Sequence, residues 1–205
     1  MTNHINTLSQ RQLKSVQTRN KLLGAARKVF IDQGFQKTTI TQIIKDAELG
    51  YGTAYVHFKN KDDILIALIE DVMNQFYKIA DLPFRPTTKD EAERTIRKQV
   101  GSFLELAKQE QRILAVVEEA IGQSPIVQAK WNDIRERFVE GIAKDITYSQ
   151  ENNLAYPDVD PLLAGKGWFY SNEMFLWEIT KRDGKMNLED IVHNLTTMYV
   201  RGLYK

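Results

Sequence analysis

Residues 38–61, TTITQIIKDAELGYGTAYVHFKNK, constrain the fold most, because two short helical periods are interrupted there by a corner with two glycines. Ile40, Ile43, Ile44 and Ala47 fall at i, i+3, i+4 and i+7, which is one face of a helix. Thr39 stands where a hydroxyl can cap the free amides of the first turn. The first helix is expected to end near Glu48. Leu49 then returns an apolar side chain to the core, and Gly50 and Gly52 supply the backbone freedom of a sharp corner. Residues 53–58 read as a second short helix, with Ala54 and Phe58 four apart on its inner face. Two helices joined by such a turn make a helix-turn-helix.

The outward face of the second helix carries Tyr51, Thr53, Val56 and His57, with Tyr55 on its flank. It is rich in hydroxyls and rings and free of acids. Thr and His can hydrogen-bond base edges in a major groove, Val can meet a thymine methyl, and Tyr can reach a phosphate. Lys59 and Lys61 close the stretch with charge for the DNA backbone. On spacing alone, a helical hairpin with a polar face remains the competing interpretation.

The charge distribution coincides with the motif, although a surface helix that merely happens to be basic is the alternative. The net charge is +1, but residues 1–61 carry ten lysines and arginines against three acids, and residues 62–205 carry eighteen against twenty-four. A basic head of +7 on an acidic body of −6 can meet nucleic acid with one end only.

The run G-F-x-x-T-T-I-x-x-I over residues 34–43, then A-x-L-G-Y-G-T-A-Y-V-H-F-K-N-K-D-D-I over residues 47–64, resembles the DNA-binding signature of the TetR family of bacterial repressors. The resemblance implies that Thr39, Thr41, Tyr55 and Lys61 hold phosphates and that Tyr51, Gly52, Thr53, Val56 and His57 face the groove. Gly50 and Lys59 complete the expected DNA-facing set. Two positions depart from the family pattern. Glu48 replaces a turn glycine, which strains or lengthens the turn, and Gly50 replaces a capping Ser or Thr. The TetR-type region is expected over about 16–76, with the motif at 39–58.

The remaining chain reads as helix throughout. Residues 1–14 are polar and unpatterned, a flexible arm. Residues 15–33 form an amphipathic helix stopped by Gly34, with Phe35 as its hydrophobic contact. Asn60 caps a helix reaching Ala80, which joins head to body. Residues 81–90 read as a loop. Further helices are expected over 90–109 and 113–121, then from the Ser124-Pro125 and Asp160-Pro161 starts, and finally over 188–203. Residues 181–185 read as a turn. The fold class is therefore all-α, with about nine helices: a three-helix head over 15–61 and a larger body over 62–205 for ligand binding and dimerisation.

At 42% hydrophobic and 27% charged, the chain has an ordinary globular composition. It has no cysteine, which excludes disulfides and thiolate chemistry and fits a reducing cytoplasm. No apolar run approaches the ~20 residues that span a bilayer, and the first residues lack the apolar core of a signal peptide. Cytoplasmic location without membrane contact is the expectation. His4, His57 and His193 stand in unrelated segments, and no phosphate loop, nucleophile elbow or dinucleotide fingerprint occurs. Neither a metal, a cofactor nor catalysis is expected.

Phe76, Phe103, Trp131, Phe138, Trp168 and Trp177, with Glu118, Asn172 and Glu173, form the candidate small-molecule pocket, apolar with a few polar groups. The competing interpretation is that these aromatics are plain core. Helices at 161–179 and 188–203 carry apolar surface beyond one core's need, with Gly165 and Gly167 allowing close approach, so they are the candidate homodimer interface. The resemblance implies a repressor released from a pseudo-palindromic operator by an unidentified, largely apolar effector. A ligand-independent DNA-binding dimer and a helical enzyme with an incidental basic head are the alternatives.

Overall fold

The computed structural model describes residues 9–181 and 187–205. Among them the chain forms α1 (Gln10–Lys37), α2 (Ile40–Asp46), α3 (Tyr51–Tyr55), α4 (Lys61–Ala80), α5 (Lys89–Gln109), α6 (Gln111–Ile121), α7 (Pro125–Glu151), α8 (Pro161–Thr180) and α9 (Leu188–Leu203). The described residues contain no strand, and one isolated antiparallel bridge, Ala155 to Tyr204, pins the last residues against the 152–160 turn.

Most helix starts are set by side-chain caps visible in the sequence. Thr39, Asn60, Ser124 and Asp160 each accept a backbone N–H of the first turn, and Pro125 and Pro161 sit just inside their helices. The beginning of α1 differs from expectation. Residues 10–14 are helical rather than part of an arm, because Ser9 and Gln12 form a reciprocal capping box. Residues 1–8 of the expected arm, and 182–185 of the expected 181–185 turn, lie outside the described residues. Gly34, at φ 78°, breaks α1 where the sequence predicts, and a last turn follows to Lys37.

The second helix of the motif begins at Tyr51, two residues earlier than expected, and ends at Tyr55. Gly50 caps it without a side-chain hydrogen bond. Glu48 takes the left-handed conformation, at φ 50°, that a turn glycine would adopt freely.

The head and the near end of the body share one buried layer. Leu22, Phe30, Ile43, Ile44 and Ala54 of the head are continuous through Ile64, Leu65 and Leu68 of α4 with Leu114, Val117 and Trp131 of the body. Burying each such Leu or Ile stabilises the fold by about 1.5–3 kcal/mol. A second cluster at the far end joins Ile96, Val100, Leu104, Leu195, Val200 and Tyr204.

Candidate functional site

The motif presents one outward face. Ala54 and Phe58 are buried beneath it, as their spacing requires, while Tyr51, Gly52, Thr53, Tyr55 and Val56 are exposed and His57 is half-buried. Val56 is 81% exposed, a large apolar side chain with no intramolecular reason to stand in water. Thr39, Thr41, Gly50 and Lys59 are exposed beside this face. The Thr39 hydroxyl also receives the Gln42 amide at 3.3 Å.

Lys61 is placed differently from the phosphate contact that the resemblance implies. Its ammonium donates to the carbonyls of Phe35 at 2.7 Å, Thr38 at 3.0 Å and Gln36 at 3.2 Å, and stands 4.3 Å above the Phe35 ring. Its three donors are thus spent on the carbonyls at the end of α1. Lys61→Ala is expected to cost about 2 kcal/mol of stability with little change in the salt dependence of DNA binding. Lys59→Ala is expected to do the reverse, lowering the salt slope by about one per half-site. Chemical denaturation and anisotropy across a salt series measure both.

Two elements hold the head on the body. The N-terminal turn of α4 does so through Lys61 and through Asp62, which accepts the Ser124 hydroxyl at the start of α7. The second element is α6, which sequence reasoning did not assign to this task. The Glu119 carboxylate accepts the amides of Phe35 at 2.9 Å and Gln36 at 3.0 Å, and Glu110 pairs with Arg27. A Cβ on Gly34 would stand 2.7 Å from the Glu119 carboxylate, so glycine is required there by both space and φ.

A cavity of about 110 Å³ lies between α4, α5, α7 and α8. Four of the nine candidate pocket residues, Phe103, Phe138, Trp168 and Asn172, line it. Tyr77, Gln99, Arg137, Asp145 and Phe169 also line it, and none of these was expected from sequence. The rings form a connected set, with centroids 5.0 Å apart for Tyr77–Phe138, 6.0 Å for Phe103–Phe138 and 5.4 Å for Phe138–Phe169. Arg137 reaches Asp81 at 3.1 Å and stacks 3.5 Å above Tyr77. Asp145 shares this wall, and burial pushes its carboxyl up to about 7 while Arg85 pulls it the other way.

The other five candidates lie elsewhere. Phe76 is fully buried behind Phe103, at 4.9 Å. Glu118 is exposed, near the Thr180 hydroxyl. Trp131, Glu173 and Trp177 make a separate cluster. Glu173 accepts from Trp131 Nε1 at 2.6 Å and from Arg135 Nε at 2.9 Å, and Trp177 packs 5.0 Å from Trp131. These residues satisfy one another rather than a cavity. Among the described residues, no three acids or histidines gather as a metal site, and no helix is long and apolar enough to cross a membrane.

The model for bacterial regulatory proteins of the tetR family matches residues 22–68, the head and the first turns of α4. Over 187 residues the chain is 24% identical to the fatty acid metabolism regulator protein of Bacillus subtilis strain 168, covering 90% of this chain and 94% of that protein. The structure of NalD, the secondary repressor of the MexAB-OprM multidrug efflux pump in Pseudomonas aeruginosa, matches with a TM-score of 0.74 at 18% identity, over 93% of this chain and 98% of NalD. The fatty acid degradation regulator FadR from Bacillus halodurans matches with a TM-score of 0.69 at 20% identity, over 92% and 97% of the two chains. The two structural likenesses speak for the shared fold, and the matched head carries the acid-free exposed face described above. Residues 22–68 therefore carry the DNA-binding head of the tetR family of bacterial regulatory proteins, and the chain is similar over nine-tenths of its length to a regulator.

Proposed function

We propose that this regulator is a cytoplasmic repressor, acting by binding rather than catalysis, and that a small, largely apolar ligand in the body cavity releases it from a pseudo-palindromic operator. The observation that carries this reading is the position of α4. Its first residue, Lys61, fixes the end of α1, and its last turn supplies Tyr77, Ile79 and Ala80 to the cavity wall. A helix of 20 residues spans about 30 Å, so a ligand at one end can tilt the head at the other. The mechanism is a coupling free energy between cavity and DNA, carried by α4 with α6 as a second brace through Glu119.

The head, residues 15–61 with the earlier start of α1, serves as the DNA-binding unit, and residues 62–205 serve ligand binding and dimerisation. Homodimerisation through α8 and α9 fits their exposed apolar groups: Leu163 is 69% and Met198 74% exposed. Gly167 faces open space. Gly165, the other glycine expected at the interface, packs instead against α7, where an added Cβ would meet the Val139 carbonyl at 3.2 Å.

Footprinting on the DNA flanking its own gene, with anisotropy on the protected sequence, tests the reading. Thr53→Ala and His57→Ala are expected to change which operator variant is preferred, by about 1–3 kcal/mol per base contact. Equal losses on every sequence would remove these residues from base recognition. A dimer that binds its operator but responds to no small molecule would leave the DNA-binding reading standing without the ligand.

A further inference from the structure

We propose that the body cavity takes a lipophilic organic cation, an alkyl- or arylammonium whose charge rests against Asp145 and whose apolar part lies among the aromatic walls. This rests on the reading that the cavity holds the releasing ligand. Asp145, on α7, belongs to the walls of two adjoining spaces. One is the inner cavity of about 110 Å³, and the other is a wider cleft of about 640 Å³ under the 80–85 loop. A charged group on that shared wall meets any molecule that reaches from one space into the other.

Among the described charged groups that line the inner cavity, Asp145 is the one without an ion-pair partner. Asp81 has its partner in Arg137, whose guanidinium is further held over Tyr77. In the outer cleft, Arg85 donates to the Phe84 carbonyl at 2.7 Å and lies 4.7 Å above the Tyr148 ring. The hydrogen bond that Ser149 gives Asp145 goes to its main-chain carbonyl, at 2.9 Å, and not to the carboxylate. Among the described residues, no cation lies within ion-pair distance of that carboxylate.

The walls favour the same chemistry. Tyr77, Phe103, Phe138, Trp168 and Phe169 line the cavity, and aromatic faces attract cations within about 6 Å. In the inner cavity a carboxylate ligand would meet a like charge, with Arg137 already engaged by Asp81, while Arg85 and Lys144 stand outside it in the outer cleft. An alcohol would gain the apolar contacts alone. Burial favours the neutral form of the Asp145 carboxyl, and an ammonium beside it takes the place of the proton. The inner space is somewhat smaller than the ~150 Å³ that holds benzene, so it accepts a compact apolar group while the rest of the ligand lies in the outer cleft.

Octylamine, 1-octanol and octanoate share a tail and differ at the head, and they test the proposal on the full-length protein. Tryptophan quenching reads binding, and anisotropy of a labelled operator reads release. Octylamine is expected to bind at least about ten-fold tighter than octanol, with octanoate weakest. Asp145→Asn is expected to bring the amine to within about three-fold of the alcohol. A preference for octanoate accompanied by operator release would overturn the cation and leave ligand-controlled release intact. Failure of all three to bind would overturn both. An amine preference that survives Asp145→Asn would remove Asp145 from the site. If that variant does not fold, the wild-type ranking of the three heads decides alone.

Discussion

Met198→Glu is expected to convert the protein to monomers and to lower operator affinity by roughly 10²- to 10⁴-fold, the loss that follows when two linked sites become one. Met198 is 74% exposed on α9 and borders a groove with Gly167, Trp168, Ser171 and Gly202. Leu162, Leu163, Tyr170 and Met174 of α8 are also exposed. In the proposed α8–α9 interface, a carboxylate in the middle of this face, doubled by two-fold symmetry, places two like charges together out of water. Each isolated head still binds one half-site, because α1–α3 and their contacts with α4 and α6 lie away from this face. Sedimentation at fixed protomer concentration, together with anisotropy on full and half operators, measures the effect. A dimer that persists in Met198→Glu would place the interface elsewhere.

The second large effect is on stability. Glu173→Ala is expected to destabilise the protein by about 3 kcal/mol. The Glu173 side chain is 5% exposed and that of Arg135 26%. The carboxylate accepts from Arg135 Nε with both oxygens, at 2.9 and 3.0 Å, and from the indole of the buried Trp131. Removing it leaves the indole N–H unpartnered in the core. Arg135 can turn partly towards water, which keeps the loss at the lower end for a broken buried pair. For a chain of this length, about 3 kcal/mol corresponds to a fall of roughly 6–12 °C in Tm. Glu173→Gln keeps an acceptor for the indole and is expected to lose about half as much. Urea unfolding at fixed protomer concentration measures both. A loss under about 1 kcal/mol for Glu173→Ala would mean that Trp131 finds another acceptor.

What the sequence revealed and what it hid divide along contact distance. Caps act over three residues, so Thr39, Asn60, Ser124 and Asp160 could be read directly and the helices they start were placed within a residue or two. Ser9 with Gln12 carried the same signal for the start of α1, and the polar character of the first residues obscured it. Lys61 could not be read this way, because the carbonyls it holds are more than twenty residues upstream and look like nothing in a linear pattern.

The cavity shows the same limit from the other side. Aromatic residues at helical spacing mark a helix face, but only the packing of four helices decides which rings enclose space. Phe103, Phe138 and Trp168 came to line it, while Trp131 and Trp177 packed against each other at a tilt. Asp145 is not singled out by the sequence, because the burial that shifts it comes from non-local packing.

The joint between Glu119 and the end of α1 has an evolutionary consequence. Because the carboxylate grips main-chain amides, the side chains of Phe35 and Gln36 are not what it recognises. Any residue but proline at position 36 offers the same amide. The exposed head around it can therefore drift in sequence, acquiring new operators, without disturbing its attachment to the body. At this joint the burden falls on one acid in α6 and on Gly34, whose missing side chain makes room for it. Such an arrangement separates the freedom to change DNA target from the obligation to stay mechanically connected.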